Sequence, residues 1–201
     1  MRLVLASNNG KKLLELQTLF APLGLEMVAQ GALGIAEADE PHPTFVENAL
    51  AKARHAARHA NCAAIADDSG LCVDALGGAP GVLSARYATL FGQEKSDEAN
   101  NRMLLQKMQG VSERRARFVS ALVAVRSADD PEPLVAMGRW HGEIGQTPVG
   151  DGGFGYDPLM FVPALGRTVA ELSADLKNAH SHRAIASQQM LAAMREVWSL
   201  G

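Results

Sequence analysis

Apolar positions along the chain fall into short continuous runs separated by stripes at helical spacing. Leu3-Val4-Leu5-Ala6 is apolar on both faces, the pattern of a short strand in a sheet covered by helices. After Ser7-Asn8-Asn9-Gly10-Lys11-Lys12, the stripe Leu13, Leu16, Phe20, with Leu19 beside it, predicts a helix that stops before Pro22 and Gly24. Leu25 to Ala29 gives a second, weak strand, and residues 30–43 a loop carrying Glu37, Asp39 and Glu40. Thr44-Phe45-Val46-Glu47 is a capping box. Its helix runs to about Ala60 with Phe45, Ala49, Ala53 and Ala56/Ala57 on one face. Ala63 to Ala66 reads as a buried strand ending at two carboxylates, Asp67 and Asp68. Ser69 and Gly70 then turn the chain into a hairpin partner at Cys72 to Leu76.

The second half continues the alternation. Gly77-Gly78-Ala79-Pro80-Gly81 is a loop, and Asp97 to Met108 a helix capped by Ser96 and stopped at Gly110. Ala116 to Arg126 and Leu134 to Ile144 form an expected antiparallel pair, joined through Asp129-Asp130-Pro131-Glu132-Pro133. Thr168 opens a short capped helix, and Ser181 caps a terminal helix reaching about Trp198. Short strands alternating with helices predict an α/β chain.

Length and composition narrow the class. The 201 residues fit one domain, or one domain with two lobes. A 47% apolar and 20% charged composition is ordinary for a globular protein. With a net charge of −3, no global basic field draws the chain to nucleic acid or an anionic membrane, so any phosphate site is local. No apolar run approaches membrane-spanning length, and the run at the N-terminus is too short for a signal peptide. Cys62 and Cys72 read as reduced thiols, so a cytoplasmic location is expected.

Candidate chemistry centres on Ile65-Ala66-Asp67-Asp68-Ser69-Gly70-Leu71. Adjacent strand residues face opposite ways, so both aspartates reach one site only if the strand has ended. Carboxylates beside apolar sequence need a cation or donors, and oxygen ligands at a strand end suit Mg²⁺. The alternative is a solvated turn. The strand, the polar loop Ser7–Lys12 and the following helix form the layout in which helix N-terminal amides hold phosphate. The loop lacks the Gly-Lys-Ser/Thr ending of a P-loop. Lys52 and Arg54 are expected to be solvated or to reach a neighbouring loop, and His55 and His59 to lie on the surface. Gly150-x-Gly152-x-x-Gly155 is formally a dinucleotide fingerprint but leads into Leu159-Met160-Phe161-Val162 rather than a helix, which excludes that reading. Its aromatics suit either a stacking surface for a flat ring or plain packing. His182 and Arg183 fall in the first turn of the last helix, where the dipole disfavours cations; such local conflict points to function, with Lys177 nearby.

Six stretches, in order and spanning nearly the whole chain, resemble the inosine triphosphate pyrophosphatase family of non-standard purine nucleoside triphosphate pyrophosphatases. They are Leu5–Lys12, Thr44–Ala49, Ala66–Leu71, Gly77–Gly81 with Ser84-Ala85-Arg86-Tyr87 behind it, Gly152–Pro158 and Ser181-His182-Arg183. The resemblance implies an α/β fold with a long curved mixed sheet flanked by helices, and two lobes around a central substrate cleft. It also implies a homodimer and Mg²⁺-dependent hydrolysis of ITP, dITP and XTP to monophosphate and pyrophosphate. By the same resemblance Ser7, Asn8, Asn9, Gly10, Lys11 and Lys12 hold the triphosphate, and Lys52 is a further basic position of the phosphate site. Glu40 and Asp68 bind Mg²⁺, Asp68 also activating water, and Ser69 touches substrate. Phe154, Gly155, Tyr156 and Asp157 form the base pocket, completed by Lys177, His182 and Arg183. Ser7-Asn8 departs from the commoner Thr-Gly opening, and Tyr156 stands where some members carry Trp. Both changes keep hydroxyl or aromatic character.

The residue types fit that chemistry. Cleavage between the α and β phosphorus needs charge neutralised on the leaving pyrophosphate and a positioned water. Donors such as Lys177 or Arg183 suit the six-carbonyl of hypoxanthine and xanthine and are left unpaired by adenine. Two other readings use the same residues. One is a related pyrophosphatase acting on dUTP or modified pyrimidine triphosphates. The other is a non-catalytic nucleotide- or RNA-associated protein, which the carboxylate pair argues against because it repels phosphate unless metal is present.

Overall fold

The computed structural model describes residues 1–200. Its strands are β1 (Arg2–Leu5), β2 (Glu26–Ala29), β3 (Ala64–Val73), β4 (Arg115–Val125), β5 (Leu134–Ile144), β6 (Met160–Val162) and β7 (Arg167–Thr168). The helices are α1 (Gly10–Phe20), α2 (Phe45–Ala60), α3 (Asp97–Lys107), α4 (Ala174–His180) and α5 (His182–Val197), with 3-10 turns between several elements. One sheet joins the strands in the order β2-β1-β3-β4-β5-β6-β7. β1 runs parallel to β2 and β3, whereas β6 is antiparallel to β5 and β7, so the expected mixed sheet flanked by helices is present. Among the described residues no helix is long and apolar enough to cross a membrane.

The chain divides into two compact units. The first holds Met1–Asp68, Ser120–Gly138 and residues 182–200; the second holds Ser69–Val119 and Arg139–Ser181. In the first unit, strand alternation sorts side chains into two apolar layers. Leu3, Leu5, Ile65, Leu122 and Ala124 pack with Leu16 and Phe20 of α1 and with Ala186, Met190 and Met194 of α5. Val4, Ala6, Ala64, Ala66, Ala121 and Val123 pack with Ala49, Ala53, Ala56 and Ala57 of α2. Burying Leu16 or Phe20 contributes roughly 2–3 kcal/mol each. The helix starts follow their caps: the Asn9 side chain accepts from the Lys11 and Lys12 amides, and Thr44 from the Glu47 amide.

In the second unit, Leu71, Val73, Phe118, Trp140 and Ile144 pack with Leu104 and Met108, against and just beyond α3. The intervening Arg115, Arg117, Arg139, His141 and Glu143 line an open recess on the sheet's other face, together with Asp74.

The expectation that the strand ends at Asp67 is corrected. β3 continues for ten residues through Asp67, Asp68, Ser69 and Gly70, and Cys72 and Val73 belong to it rather than to a hairpin partner. Leu71, Cys72 and Val73 are all buried, so apolar packing resumes beyond the polar stretch and carries the strand on. The chain then turns through a short 3-10 segment, Asp74–Leu76.

β5 meets the start of α5 closely. A Cβ on Gly138 would lie 1.8 Å from the His182 carbonyl oxygen and 2.7 Å from the Ala186 amide nitrogen. Backbone cannot yield there as a flexible side chain does. Gly138→Ala is therefore expected to lower stability by about 3 kcal/mol or more, read as a fall in the urea midpoint; an unchanged midpoint contradicts this packing.

Candidate functional site

Because β3 does not end, Asp67 and Asp68 project to opposite sides of it. Each meets cations from the helices on its own side.

Asp67 shares its side with Ile65, and hence with α1 and α5. Its carboxylate is 1% exposed. Oδ1 accepts from the Ser120 hydroxyl at 2.7 Å. Oδ2 accepts from Arg183 Nε at 3.2 Å and Nη2 at 3.1 Å, and forms a 3.0 Å ion pair with Lys12 Nζ. Glu15 of α1 takes the remaining arm of Arg183 through Nη1. Burial alone would raise the Asp67 carboxyl, but Arg183, then Lys12 and Ser120, override it and hold it well below the usual carboxylate range. The two acids also explain how a cation tolerates the first turn of α5: Asp67 and Glu15 offset the dipole there.

Asp68 shares its side with Ala64 and Ala66, and hence with α2. Lys52 of α2 donates to Asp68 Oδ1 at 2.9 Å, to Glu40 Oε1 at 2.6 Å and to the Asp67 carbonyl at 3.1 Å. An ammonium has three donors, and all three are engaged here. Lys52 is buried, so of its two expected places the second holds: it meets the neighbouring loop that bears Glu40. Burial works against its charge, but Asp68 and Glu40 raise its pKa overall. Asp68 moves the other way from Asp67. Burial pushes its carboxyl up, Lys52 opposes that, and Glu40 adds to it. Asp68 Oδ2 is buried and has no hydrogen-bond partner among the described residues.

The loop before α1 is built by its own side chains. Ser7 Oγ accepts from the Asn9 amide at 3.1 Å, and Asn8 lies against Gly31, where a Cβ would stand 2.5 Å from Asn8 Oδ1. A Cβ on Gly10 would meet nothing within 4 Å, which leaves space beside the helix N-terminus. Lys11 is exposed, whereas Lys12 turns inward to Asp67.

The second unit carries the other expected residues. Ser69 and Gly155 are half-buried. Asp157 Oδ2 accepts from the Phe154 amide and from Lys177 Nζ, each at 2.9 Å. Lys177 also lies 4.4 Å from the centre of the Phe154 ring. Gly153 has a φ of +73°, and a Cβ there would stand 2.0 Å from Asp157 Oδ2, so both backbone shape and the aspartate require glycine. The Gly155 amide donates to Asp97 at 2.7 Å. Tyr156 packs into the apolar core and donates its hydroxyl to the Ser84 carbonyl at 2.9 Å.

Arg183, which the resemblance assigns to the base pocket, lies in the first turn of α5. Its guanidinium, 1% exposed, is engaged by Asp67 and Glu15. Lys177 reaches Asp157 and Phe154, two of the residues it is expected to join. His182 is buried in the first turn of α5.

A model of the Ham1 family matches residues 3–193. The chain belongs to the Ham1 family. It is 65% identical, over 98% of its length, to a relative from Methylibium petroleiphilum of which 99% is covered, named a dITP/XTP pyrophosphatase. A relative of the same name from Leptothrix cholodnii is 64% identical over 100% of both chains. The fold superposes on a solved HAM1 protein from Coxiella burnetii with a TM-score of 0.90 at 41% identity, covering 98% of this chain and 100% of that one. The resemblance read from six motifs thus holds along the whole chain.

Within this Ham1 chain, sequence reasoning passed over Glu15, Ser120 and any role for Asp67 of its own. Ser120 had a signal, as the one hydroxyl inside the apolar run Phe118 to Val125. Glu15 had none, because a charged residue in an amphipathic helix reads as solvated.

Asp67 fixes a pH dependence. Its carboxyl titrates near 3.8 when unfolded and well below that when folded. Its contribution is therefore complete above the unfolded value and is lost as pH falls through the folded one. Urea unfolding of wild type and Asp67→Asn is expected to show a stability gap constant above about pH 5 and narrowing below about pH 4. A gap that persists unchanged to about pH 2 contradicts the assignment.

Proposed function

We propose that this Ham1 protein hydrolyses non-standard purine nucleoside triphosphates, dITP, XTP and ITP, to the monophosphate and pyrophosphate with Mg²⁺. That it is an enzyme of the nucleoside-triphosphate pyrophosphatase class follows from its family and the names of its full-length relatives. The observation that carries the metal-dependent reading is the Asp68 carboxylate, which keeps one buried oxygen without a partner beside Glu40.

The residues present fit the ion. Glu40 and Asp68 share one ammonium, so the trio keeps one negative charge in a partly buried place. Hard carboxylate oxygens suit Mg²⁺, which takes one or two protein carboxylates and completes its shell with water and substrate phosphates. Accordingly, the described residues need not, and do not, offer three or more His, Cys, Asp or Glu side chains to one ion. When bound by Glu40 and Asp68, Mg²⁺ supplies charge neutralisation at phosphoryl oxygens.

The chain's own groups supply the rest. Asp68 accepts the proton of the attacking water through the buried oxygen that has no hydrogen-bond partner among the described residues. Water oxygen bonds to the α phosphorus as the bond from that phosphorus to the bridging oxygen breaks, and pyrophosphate leaves. Lys12 and the Ser7–Gly10 loop neutralise and orient the departing charge. Lys52 keeps Glu40 and Asp68 converged. In the second unit, Phe154 offers a ring face for stacking, and Lys177 offers a donor that suits a six-carbonyl. Adenine presents an amino group at that position and leaves the donor unpaired. Hydrogen-bond mismatch of this kind discriminates by roughly 10⁴.

A panel of dITP, XTP, ITP, dATP, dGTP and dUTP, with pyrophosphate and phosphate measured separately, tests this reading. Mg²⁺-dependent pyrophosphate release from dITP and XTP is expected; phosphate alone, or equal turnover of dATP, refutes it. Asp68→Asn should lower kcat by about 10³-fold or more with the melting temperature kept. Lys177→Met should narrow the preference for dITP over dATP by about tenfold or more; an unchanged ratio removes Lys177 from base selection.

A further inference from the structure

The four-residue ionic chain Glu15–Arg183–Asp67–Lys12 has two buried members at its centre and a partly exposed member at each end. Side-chain exposure is 16% for Glu15, 1% for Arg183, 0% for Asp67 and 17% for Lys12. Arg183 lies between two carboxylates, and Asp67 receives donors on both oxygens, from Ser120 on Oδ1 and from Arg183 and Lys12 on Oδ2. Only Lys12 sits at the polar loop, and it spends one of its three donors on Asp67. Asp67 also faces away from the Asp68 side of β3, so its side chain stands apart from the Glu40–Lys52–Asp68 set.

We propose that Asp67 is a positioning residue that aims the Lys12 ammonium, and that Arg183, Ser120 and Glu15 hold Asp67 for that task. The inference rests on the functional reading above, in which Lys12 serves the triphosphate. A lysine carries its charge on a flexible four-carbon stem, and fixing the stem beforehand removes an ordering cost from the transition state. The rotamer freedom of one lysine corresponds to a factor of about 10–30 in rate. Arg183 is suited to fixing the aspartate because its planar fork places two parallel donors on one carboxylate oxygen and another on Glu15. Arg183 thereby acts on Lys12 through Asp67.

Two readouts test this, one of them independent of turnover. The first is the ¹⁵N ammonium resonance of Lys12, assigned by its loss in Lys12→Met. It should be sharp in wild type and broadened or lost in Asp67→Asn and in the milder Ser120→Ala, whose folding is checked by melting temperature. The second is kinetics on dITP. Ser120→Ala should lower kcat about threefold to tenfold and Asp67→Asn about thirtyfold, while KM and the Mg²⁺ concentration for half-maximal rate stay within about twofold. Both effects should vanish in the Lys12→Met background, as effects acting through one residue do. An equally sharp Lys12 signal in Ser120→Ala and Asp67→Asn, additive losses, or a shifted Mg²⁺ requirement overturns the proposal. Absence of pyrophosphate release by wild type, with the Lys12 signal behaving as expected, overturns the functional reading and the catalytic part of this inference while the aiming contact stands.

Discussion

Strand alternation at two neighbouring aspartates is the constraint from which the first unit's polar chemistry follows. β3 keeps its pleat through Asp67 and Asp68, so the two carboxylates are separated by the strand itself. An ionised group taken from water costs several kcal/mol unless it is paired, and each side must therefore supply its own cation. α1 and α5 bring Lys12 and Arg183 to Asp67, while α2 brings Lys52 to Asp68. Had the strand ended at Asp67, both acids would have competed for one set of partners.

The two sides differ in what is left over. On the Asp67 side, two carboxylates meet two cations and every oxygen of Asp67 has a donor, which makes a closed, neutral group. On the Asp68 side, two carboxylates share one ammonium and an oxygen remains without a partner. The opposite directions of the two pKa shifts express the same contrast: cations outweigh burial at Asp67 and do not at Asp68. A neutral, satisfied group suits a scaffold, and a group with surplus negative charge suits a site that accepts a cation. Adjacent residues of one type thus receive different tasks from their surroundings alone.

Much of this could be read in the sequence where local rules dominate. The caps at Thr44 and Ser96, the alanine stripe of α2 and the apolar runs of β1, β4 and β5 follow from short-range pattern, and each element lies where expected. Motif order revealed the family. The strand end at Asp67 was misread because Asp, Ser and Gly favour turns in isolation, whereas the buried Leu71-Cys72-Val73 run keeps the strand in the sheet. Lys52 was left between solvent and a neighbouring loop because the loop bearing Glu40 has no periodicity that would announce its return to α2. Arg183 was legible as an anomaly, a cation in a helix's first turn, but its partners are 116 and 168 residues away in sequence, and periodicity carries no information over that span.

The alanines of α2 set how near Lys52 comes to the sheet. Ala49, Ala53 and Ala56 are fully buried against the sheet, so the helix approaches more closely than leucine or phenylalanine would permit. Close approach lets the four-carbon stem of Lys52 reach across to a backbone carbonyl and two carboxylates at once. A larger residue in the stripe would lift the helix, lengthen the contacts to Asp68 and Glu40, and leave buried charges poorly paired, although no polar residue had changed. The apolar packing of α2 is therefore part of the electrostatic design, because it sets the distance over which its one buried cation works.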